Sequence, residues 1–258
     1  MSTGYIYPFG QSLTPVQQQD RRPKKVFVLG VYASAVHARW RGPDGKVLVQ
    51  ALAVASEPDI FWRGEGAAEI VERIVVPASC GWLEPAGPHL NGPSGRTLDE
   101  QFLAPLGYRR HDAWLADLLP ETRLNPSQQK AIARAYEPYV QAGLVPPVAI
   151  PPVPSRFANA ARVASLAAEL IESSADLLVT LGDVPLREFV AAFQPGWRRL
   201  AQFGETADRY GRIHELAIAG KQIRLLPLVH PRQAGGLGHA SAKWRSLHQQ
   251  WRESHHAP

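Results

Sequence analysis

Short apolar runs that end on glycine recur along the chain and predict buried strands. Residues 26–29 precede Gly30 in this way, and residues 177–181 precede Gly182. Continuous apolar runs of this length, bounded by turn residues, are typical of strands that are covered on both faces. The same reasoning, together with a hairpin signal at residues 219–221, predicts further strands at residues 47–54, 114–119, 213–218 and 222–229.

Helical patterns separate these strands. Residues 158–173 are rich in alanine and repeat apolar side chains at helical spacing. Asn125 followed by Pro126 predicts a helix start, because Asn caps free N–H groups and Pro suits the first turn. Shorter helices are predicted at residues 67–74, 185–192 and 240–251. Strands that alternate with helices indicate an α/β fold, with a mostly parallel sheet between two layers of helices.

The domain organisation is expected to be simple. A chain of 258 residues with 45% hydrophobic residues can bury one large core, so we expect a single domain over residues 24–258. Residues 1–23 are polar and lack the features of a signal peptide, which predicts a flexible N-terminal arm. Residues 55–97 are rich in Gly, Pro and Trp and are expected to wrap the surface, apart from one helix.

The apolar runs and the cysteine content exclude several classes of protein. No apolar run approaches the roughly 20 residues that span a bilayer, so no membrane partner is expected. One cysteine, Cys80, excludes an internal disulfide and an all-cysteine metal cluster. We expect a monomer in the reducing cytoplasm, without a metal or another cofactor.

The charge distribution points to the C-terminal segment. Lys and Arg outnumber Asp and Glu by 28 to 23, which gives a net charge of +5 and a pI near 9.5. An excess of this size is compatible with a nucleic-acid partner and is also found in enzymes with neutral substrates. From His230 onward only Glu253 opposes a set of basic side chains. These are Arg232, Lys243, Arg245 and Arg252, with His239, His248, His255 and His256.

The carboxyl ends of the predicted strands are the expected location of a site, because open parallel sheets bind ligands there. Asp117 lies inside the apolar strand at residues 114–119. A buried carboxylate must be paired, be hydrogen-bonded or face a site. Two interpretations stay open for Asp117, an ion pair with a nearby Arg or a role in the site.

His230 follows the last predicted strand and precedes Pro231 and a glycine-rich stretch. A histidine at a strand end is either structural or catalytic, and the basic continuation favours a functional role. Ser241 and Lys243 lie near the predicted start of the last helix, an arrangement suited to a phosphate contact.

These loops, in this order, resemble the motifs of the uracil-DNA glycosylase superfamily over residues 24–252. The segment from Gly30 to Ser34 lies where the family has its water-activating loop. Asp117 to Arg123 is similar to the strand that carries a base-reading Asn followed six residues later by Arg. His230-Pro231 matches the His-Pro that opens the DNA-intercalation loop, and residues 238–243 are similar to the segment that follows it.

Two branches of the family are represented. Residues 92–100 resemble the iron–sulfur branch, although its cluster cysteines are absent, and residues 58–62 resemble the mismatch-specific and hypoxanthine branches. The chain also departs from the family pattern. Val31 and Tyr32 replace the acidic or amide residue of the first motif, Ala33 replaces its Pro, and Asp117 replaces the base-reading Asn.

The resemblance implies a three-layer αβα fold of the uracil-DNA glycosylase type and a role in DNA repair. The implied activity is hydrolysis of the N-glycosidic bond of a damaged or deaminated base that is flipped out of single- or double-stranded DNA. His230 would donate a hydrogen bond to the departing base, while Asp117 or Asp59 would orient the water. Tyr32 or Phe61 would stack on the flipped base, although Phe61 could equally serve core packing.

The remaining site residues follow from the same resemblance. The base pocket is expected to include Gly30, Val31, Tyr32, Ser34 and Phe61. Arg232 would enter the duplex or hold a phosphate, and Ser241 and Lys243 would contact the backbone. An ionised Asp117 only accepts hydrogen bonds and suits a base edge that presents donors, whereas a protonated one imitates an asparagine side chain.

Two alternative functions stay open. The replacement of the acid by Val31 and Tyr32 allows a catalytically inactive relative that binds nucleic acid. A hydrolase of free nucleosides or other small N-glycosides would need the same pocket without the basic rim.

Overall fold

Five strands form the larger sheet in the computed structural model of the protein, which describes residues 4–237 and 240–255. Numbered along the whole chain, these strands are β1 (Val26–Tyr32), β5 (Ala113–Leu119), β6 (Leu177–Leu181), β7 (His214–Ile218) and β8 (Lys221–Leu228). Their order is β5-β1-β6-β8-β7. β1 is parallel to β6 and β6 to β8, whereas β7 is antiparallel to β8. The predicted α/β class with a mostly parallel sheet is confirmed.

The central strands are buried because they are apolar on both faces. Every residue of β6 is buried, and the first four residues of β1 have no exposed surface. The predicted hairpin joins β7 to β8 through Ala219 and Gly220, whose φ angles are 48° and 82°. Two positive φ angles in a two-residue loop match the right-handed twist of the flanking strands.

Helices connect the strands. Their bounds are α1 (Ala67–Glu72), α2 (Pro93–Leu98), α3 (Pro126–Ala131), α4 (Glu137–Gln141), α5 (Ala160–Glu172), α6 (Asp183–Glu188), α7 (Pro231–Ala234) and α8 (Ser241–His255). A π-helical turn, Ile132–Tyr136, joins α3 to α4. The predicted cap at Asn125 is confirmed, since its side chain accepts a hydrogen bond from the amide of Gln128.

A second, smaller sheet contains β2 (Ala35–Arg41), β3 (Val47–Ser56) and β4 (Trp82–Pro85). Its order is β3-β2-β4, and both pairs are antiparallel. Alternate residues of β2, among them Trp40, are buried. The ring of Trp40 packs with those of Phe9 and Tyr136 at centroid distances of 5.4 and 5.8 Å.

The chain divides into two compact units. The first unit contains residues 4–16, 32–95 and 120–155, with the smaller sheet. The second unit contains residues 17–31, 96–119, 156–237 and 240–255, with the larger sheet.

Two stretches of the chain differ from the sequence-based expectation. Within the expected flexible arm over residues 1–23, Tyr7, Phe9 and Leu13 are buried in the core of the first unit, whereas residues 21–23 are exposed. Residues 55–97, expected to wrap the surface, contribute β4 and buried side chains such as Trp62. Within residues 4–237 and 240–255, the structure contains no helix with the length and apolar character that crossing a membrane requires.

Candidate active site

The carboxyl ends of three neighbouring strands lie at one edge of the larger sheet. Leu29 of β1 pairs with Thr180 of β6, and Leu181 pairs with Leu228 of β8. The residues that follow these paired positions therefore lie together at the carboxyl-end edge of the sheet. These residues are Gly30 and Val31 after Leu29, Gly182 after Leu181, and His230 two positions after Leu228. This edge is where a parallel sheet binds ligands.

Gly182 allows the backbone of β6 to pass close to His230. Its φ is 83°, and its amide donates to the carbonyl of Leu228 at 2.7 Å. A Cβ added to Gly182 would lie 3.3 Å from the Cβ of His230. Both the positive φ and the close approach therefore favour glycine at this position.

His230 caps α7 and takes a defined tautomer. Its Nδ1 accepts a hydrogen bond from the amide of Arg232 at 3.1 Å. Burial, with a smaller effect from the Arg232 cation, lowers the pKa of His230 to about 4. The ring is therefore neutral at pH 7, and its proton lies on Nε2. Among the described residues Nε2 has no hydrogen-bond partner, so this N–H is available to a ligand.

A buried hydrogen-bond network holds the residue that precedes His230. The amide of Val229 donates to the hydroxyl of Tyr210 at 3.0 Å, and that hydroxyl lies 2.9 Å from Nδ1 of His248. Nε2 of His248 lies 2.9 Å from the carbonyl of Gln101. Because the hydroxyl accepts from an amide, its own proton is directed to His248, which in turn donates to Gln101.

His248 was expected to belong to the basic C-terminal footprint, and the structure corrects this. The side chain is buried, and burial lowers its pKa to about 4 against the opposing effect of the Gln101 hydrogen bond. It is therefore a neutral member of the core at pH 7. His239, His256 and part of the segment 238–243 lie outside the described residues.

Asp117 lies in β5 with 4% of its surface exposed. Burial raises the pKa of its carboxyl to about 7, and the nearby Arg162 partly offsets that rise. The guanidinium of Arg162 donates to the backbone carbonyls of Asp117 and Leu118 at 2.6 and 3.0 Å and pairs with Glu169. Of the two interpretations left open, the ion pair is not formed among the described residues.

Asp117 and His230 belong to strands that are not neighbours, because Asp117 lies in β5 and His230 follows β8. β1 and β6 separate β5 from β8, so at about 4.8 Å per strand β5 and β8 are about 14 Å apart. The two side chains therefore do not share a hydrogen bond.

The first unit contains the other predicted pocket residues. The amide of Ser34 donates to the carboxylate of Glu57 at 3.0 Å, and its carbonyl accepts from the hydroxyl of Thr122 at 2.5 Å. Thr122 also accepts from the hydroxyl of Tyr7, whose pKa burial raises to about 12. Tyr32 is half-buried, and the side chain of Ser34 is exposed.

Glu57 and Thr122 are site residues that the sequence analysis missed. Both are buried, and both bind the main chain of the segment that resembles the family's first motif. The available signal for Glu57 was a carboxylate directly after an apolar strand.

Asp59 and Phe61 lie in one tight turn. Asp59 is exposed, and its carbonyl accepts a hydrogen bond from the amide of Trp62 at 3.1 Å. Phe61 is 8% exposed and has a φ of 51°, which is strained for an aromatic residue. A Cβ on Gly95 would lie 2.1 Å from the Phe61 carbonyl, so glycine is required there. The burial of Phe61 favours the core-packing alternative.

The residues predicted to contact DNA differ in whether their side chains already have a partner in the protein. Arg232 is exposed and forms no ion pair within the described part of the chain. Lys243 pairs with Glu205 at 2.9 Å and lies 5.7 Å from the centre of the Trp244 ring. Ser241 begins α8. Leu237, which the sequence analysis missed, is 58% exposed on the loop that follows α7.

A scan against protein-family models finds no match for the chain, and no curated protein matches its sequence. Within residues 4–237 and 240–255, no three His, Cys, Asp or Glu side chains form a group able to hold a metal ion.

Proposed function

We propose that the protein is a DNA base-excision glycosylase with a three-layer αβα fold of the uracil-DNA glycosylase type. It hydrolyses the N-glycosidic bond of a damaged or deaminated nucleotide that is flipped out of DNA. The observation that carries the proposal is the neutral His230, whose Nε2–H is free at the carboxyl end of β8.

The chemistry requires a hydrogen-bond donor at the departing base. When water adds to the anomeric carbon and the glycosidic bond breaks, the bonding electron pair leaves with the base. Negative charge then develops on the base and is shared with its carbonyl oxygen. A fixed donor at such an oxygen contributes about 2.7–4 kcal/mol to transition-state stabilisation. The Nε2–H of His230 is such a donor.

Asp117 reads the edge of the base in this proposal. With a pKa of about 7, its carboxyl is partly protonated at neutral pH. The protonated form both donates and accepts a hydrogen bond, as the side chain of asparagine does. The ionised form only accepts. The proposed specificity is therefore for oxo-purine or uracil-like edges below pH 7 and for donor-rich edges above it.

α7 and the loop after it supply the contact with the duplex. Arg232 is exposed for a phosphate, and Leu237 is an exposed apolar side chain five residues further on. The guanidinium of Arg245 lies beside Gly236, 3.1 Å from the position of an added Cβ. An apolar side chain beside cations can enter the base stack while the cations hold the backbone. Such an insertion would offset part of the few kcal/mol that base flipping requires.

The experiment is an assay on single- and double-stranded oligonucleotides that carry uracil, hypoxanthine, xanthine or a mismatch. Alkaline cleavage after incubation detects abasic sites. The proposal expects abasic product from at least one of these lesions, and the absence of product from the whole series would refute it.

A catalytically inactive, DNA-binding relative is the second candidate. It is favoured by Val31, a half-buried apolar side chain at the level where the family's first motif supplies its acid. This candidate expects DNA binding that weakens with added salt, without abasic product in the same assay.

A further inference from the structure

A groove in the first unit lies between the edge strand β3 and the helical segment that begins at α3. Its volume is about 440 Å³, within the range of about 300–1,000 Å³ that is usual for ligand pockets. The lining residues come only from these two elements. They are residues 47–51 of β3 and Ser127, Gln128, Ala131 and Arg134 of the helical segment.

The lining pattern shows that the groove runs along the edge of β3. Successive side chains of a strand point to opposite faces, so a cavity lined by five consecutive residues follows the strand's edge and includes positions from both faces. Five residues of a strand span about 17 Å. The helical wall contributes residues at spacings of three and four, which lie on one side of a helix.

The main chain of β3 is available in this groove. The strand order places β3 at the edge of its sheet, with β2 on one side only. In the described part of the chain, residues 47–51 make no backbone hydrogen bond except those with β2. Edge strands of this kind accept an additional extended strand through main-chain hydrogen bonds.

The charged side chain among the described lining residues of the groove is a cation, Arg134. This side chain is exposed and has no carboxylate partner among the described residues. Lys130, one helical turn earlier, is likewise exposed and unpaired in the same part of the chain. Asp44, near the start of β3, already pairs with Lys46 at 3.0 Å. An occupant with a carboxylate would therefore complement this wall.

We propose that this groove binds an extended, acidic segment of a partner protein, which adds to β3 as a fourth strand and places a carboxylate against Arg134. A second copy of this chain fits less well, because its own β3 stretch, residues 46–51, has no carboxylate. The site lies within the first unit and is independent of the proposed glycosylase activity.

The test uses synthetic octapeptides with blocked ends, in which Glu or Asp alternates with Val, Ile or Thr. Binding to the full chain is followed by fluorescence anisotropy and by the amide NMR signals of residues 47–51. Matched peptides replace the acidic residues with Lys, or carry N-methyl groups that remove the ladder hydrogen bonds. Two exposed arginines of the first unit are compared, Arg134→Glu in the groove and Arg73→Glu outside it.

The proposal expects an acidic peptide to bind and to shift the amide signals of residues 47–51. Binding should weaken at least about tenfold in Arg134→Glu, remain unchanged in Arg73→Glu, and disappear with the Lys and N-methyl peptides. The proposal is overturned if no acidic peptide binds, if the shifts lie elsewhere, or if Arg134→Glu has no effect. Concentration-dependent shifts of the same amides without peptide would overturn it too, by assigning the groove to a second copy.

Discussion

The hydroxyl of Tyr210 lies 2.9 Å from Nδ1 of His248 in the core of the second unit. The same hydroxyl accepts a hydrogen bond from the amide of Val229, the residue that precedes His230. Every proton in this network has an assigned acceptor, and the groups are buried. The network therefore links the end of β8 to α8 and fixes the backbone position of His230.

Tyr210→Phe removes the centre of this network. The substitution leaves the Val229 amide and Nδ1 of His248 without a partner, and an unsatisfied buried polar group costs about 1–3 kcal/mol. We expect a loss of roughly 2–4 kcal/mol in the free energy of unfolding, measured by urea denaturation. Tyr108→Phe is the control, because no hydrogen bond of its hydroxyl is found among the described residues. Equal stability of the two variants would contradict the network.

Gly182→Ala tests the contact between β6 and His230. Gly182 and Gly220 have nearly the same positive φ, 83° and 82°, but only a Cβ on Gly182 would meet His230. Gly220→Ala should lose about 1 kcal/mol of stability through backbone strain, and Gly182→Ala should lose more, because its ψ of −169° places it in a region that is essentially restricted to glycine. Only Gly182→Ala should displace the imidazole, which would shift the ¹⁵N resonances of His230. Unchanged resonances in that variant would show that the approach is looser than the structure has it.

Asp117→Asn tests the pKa of the buried carboxyl. Because burial raises this pKa from 3.8 to about 7, the folded state holds a proton that the unfolded state releases in that pH window. The contribution of Asp117 to stability is therefore present below pH 4 and is lost as the pH rises towards 7.

The neutral amide that Asp117→Asn introduces does not titrate. The stability of the variant relative to the wild type should therefore increase as the pH rises. The free energy of unfolding of Asp117→Asn, relative to that of the wild type, should be on the order of 2–4 kcal/mol higher at pH 8 than at pH 4. The measurement is urea denaturation at the two pH values. Asp176→Asn, at an exposed carboxyl, should show no such trend. A pH-independent difference between wild type and Asp117→Asn would place the pKa of Asp117 near its ordinary value.

Arg232 and Lys243 should contribute unequally to DNA binding. Arg232 is free to meet a phosphate, whereas Lys243 must first leave Glu205. Arg232→Ala should reduce the slope of log affinity against log salt concentration by about 1. Lys243→Ala should reduce it less, because its charge is already partly neutralised. Equal slopes for both variants, measured by fluorescence anisotropy on a labelled duplex, would argue against this difference.

Local patterns in the sequence were sufficient to predict most strands of the larger sheet. β6 is a continuous apolar run that ends directly before Gly182, and Asn125 is a helix cap that the structure retains. The predicted end of the first strand at Gly30 is wrong, because β1 continues through Gly30 to Tyr32. β2 was missed although Val36, Ala38 and Trp40 alternate with polar residues, since the preceding segment was interpreted as a loop.

Other features depend on tertiary context. β4 has only four residues, none of them buried, and so leaves no pattern to detect. The neutral state of His248 and the raised pKa of Asp117 arise from burial, which neighbours distant in sequence provide. The role of Glu57 depends on its contact with the amide of Ser34, which lies 23 positions away.

The single-turnover rate of base excision by His230→Ala is the most direct test of the proposed activity. The substrate is the lesion on which the wild type forms abasic sites, and His111→Ala, at a side chain that is 69% exposed, is the control. Loss of the Nε2–H donor should slow excision about a hundredfold to a thousandfold, while the control keeps the wild-type rate. Equal rates for wild type and His230→Ala, or no abasic product from the wild type on any lesion, would contradict the account.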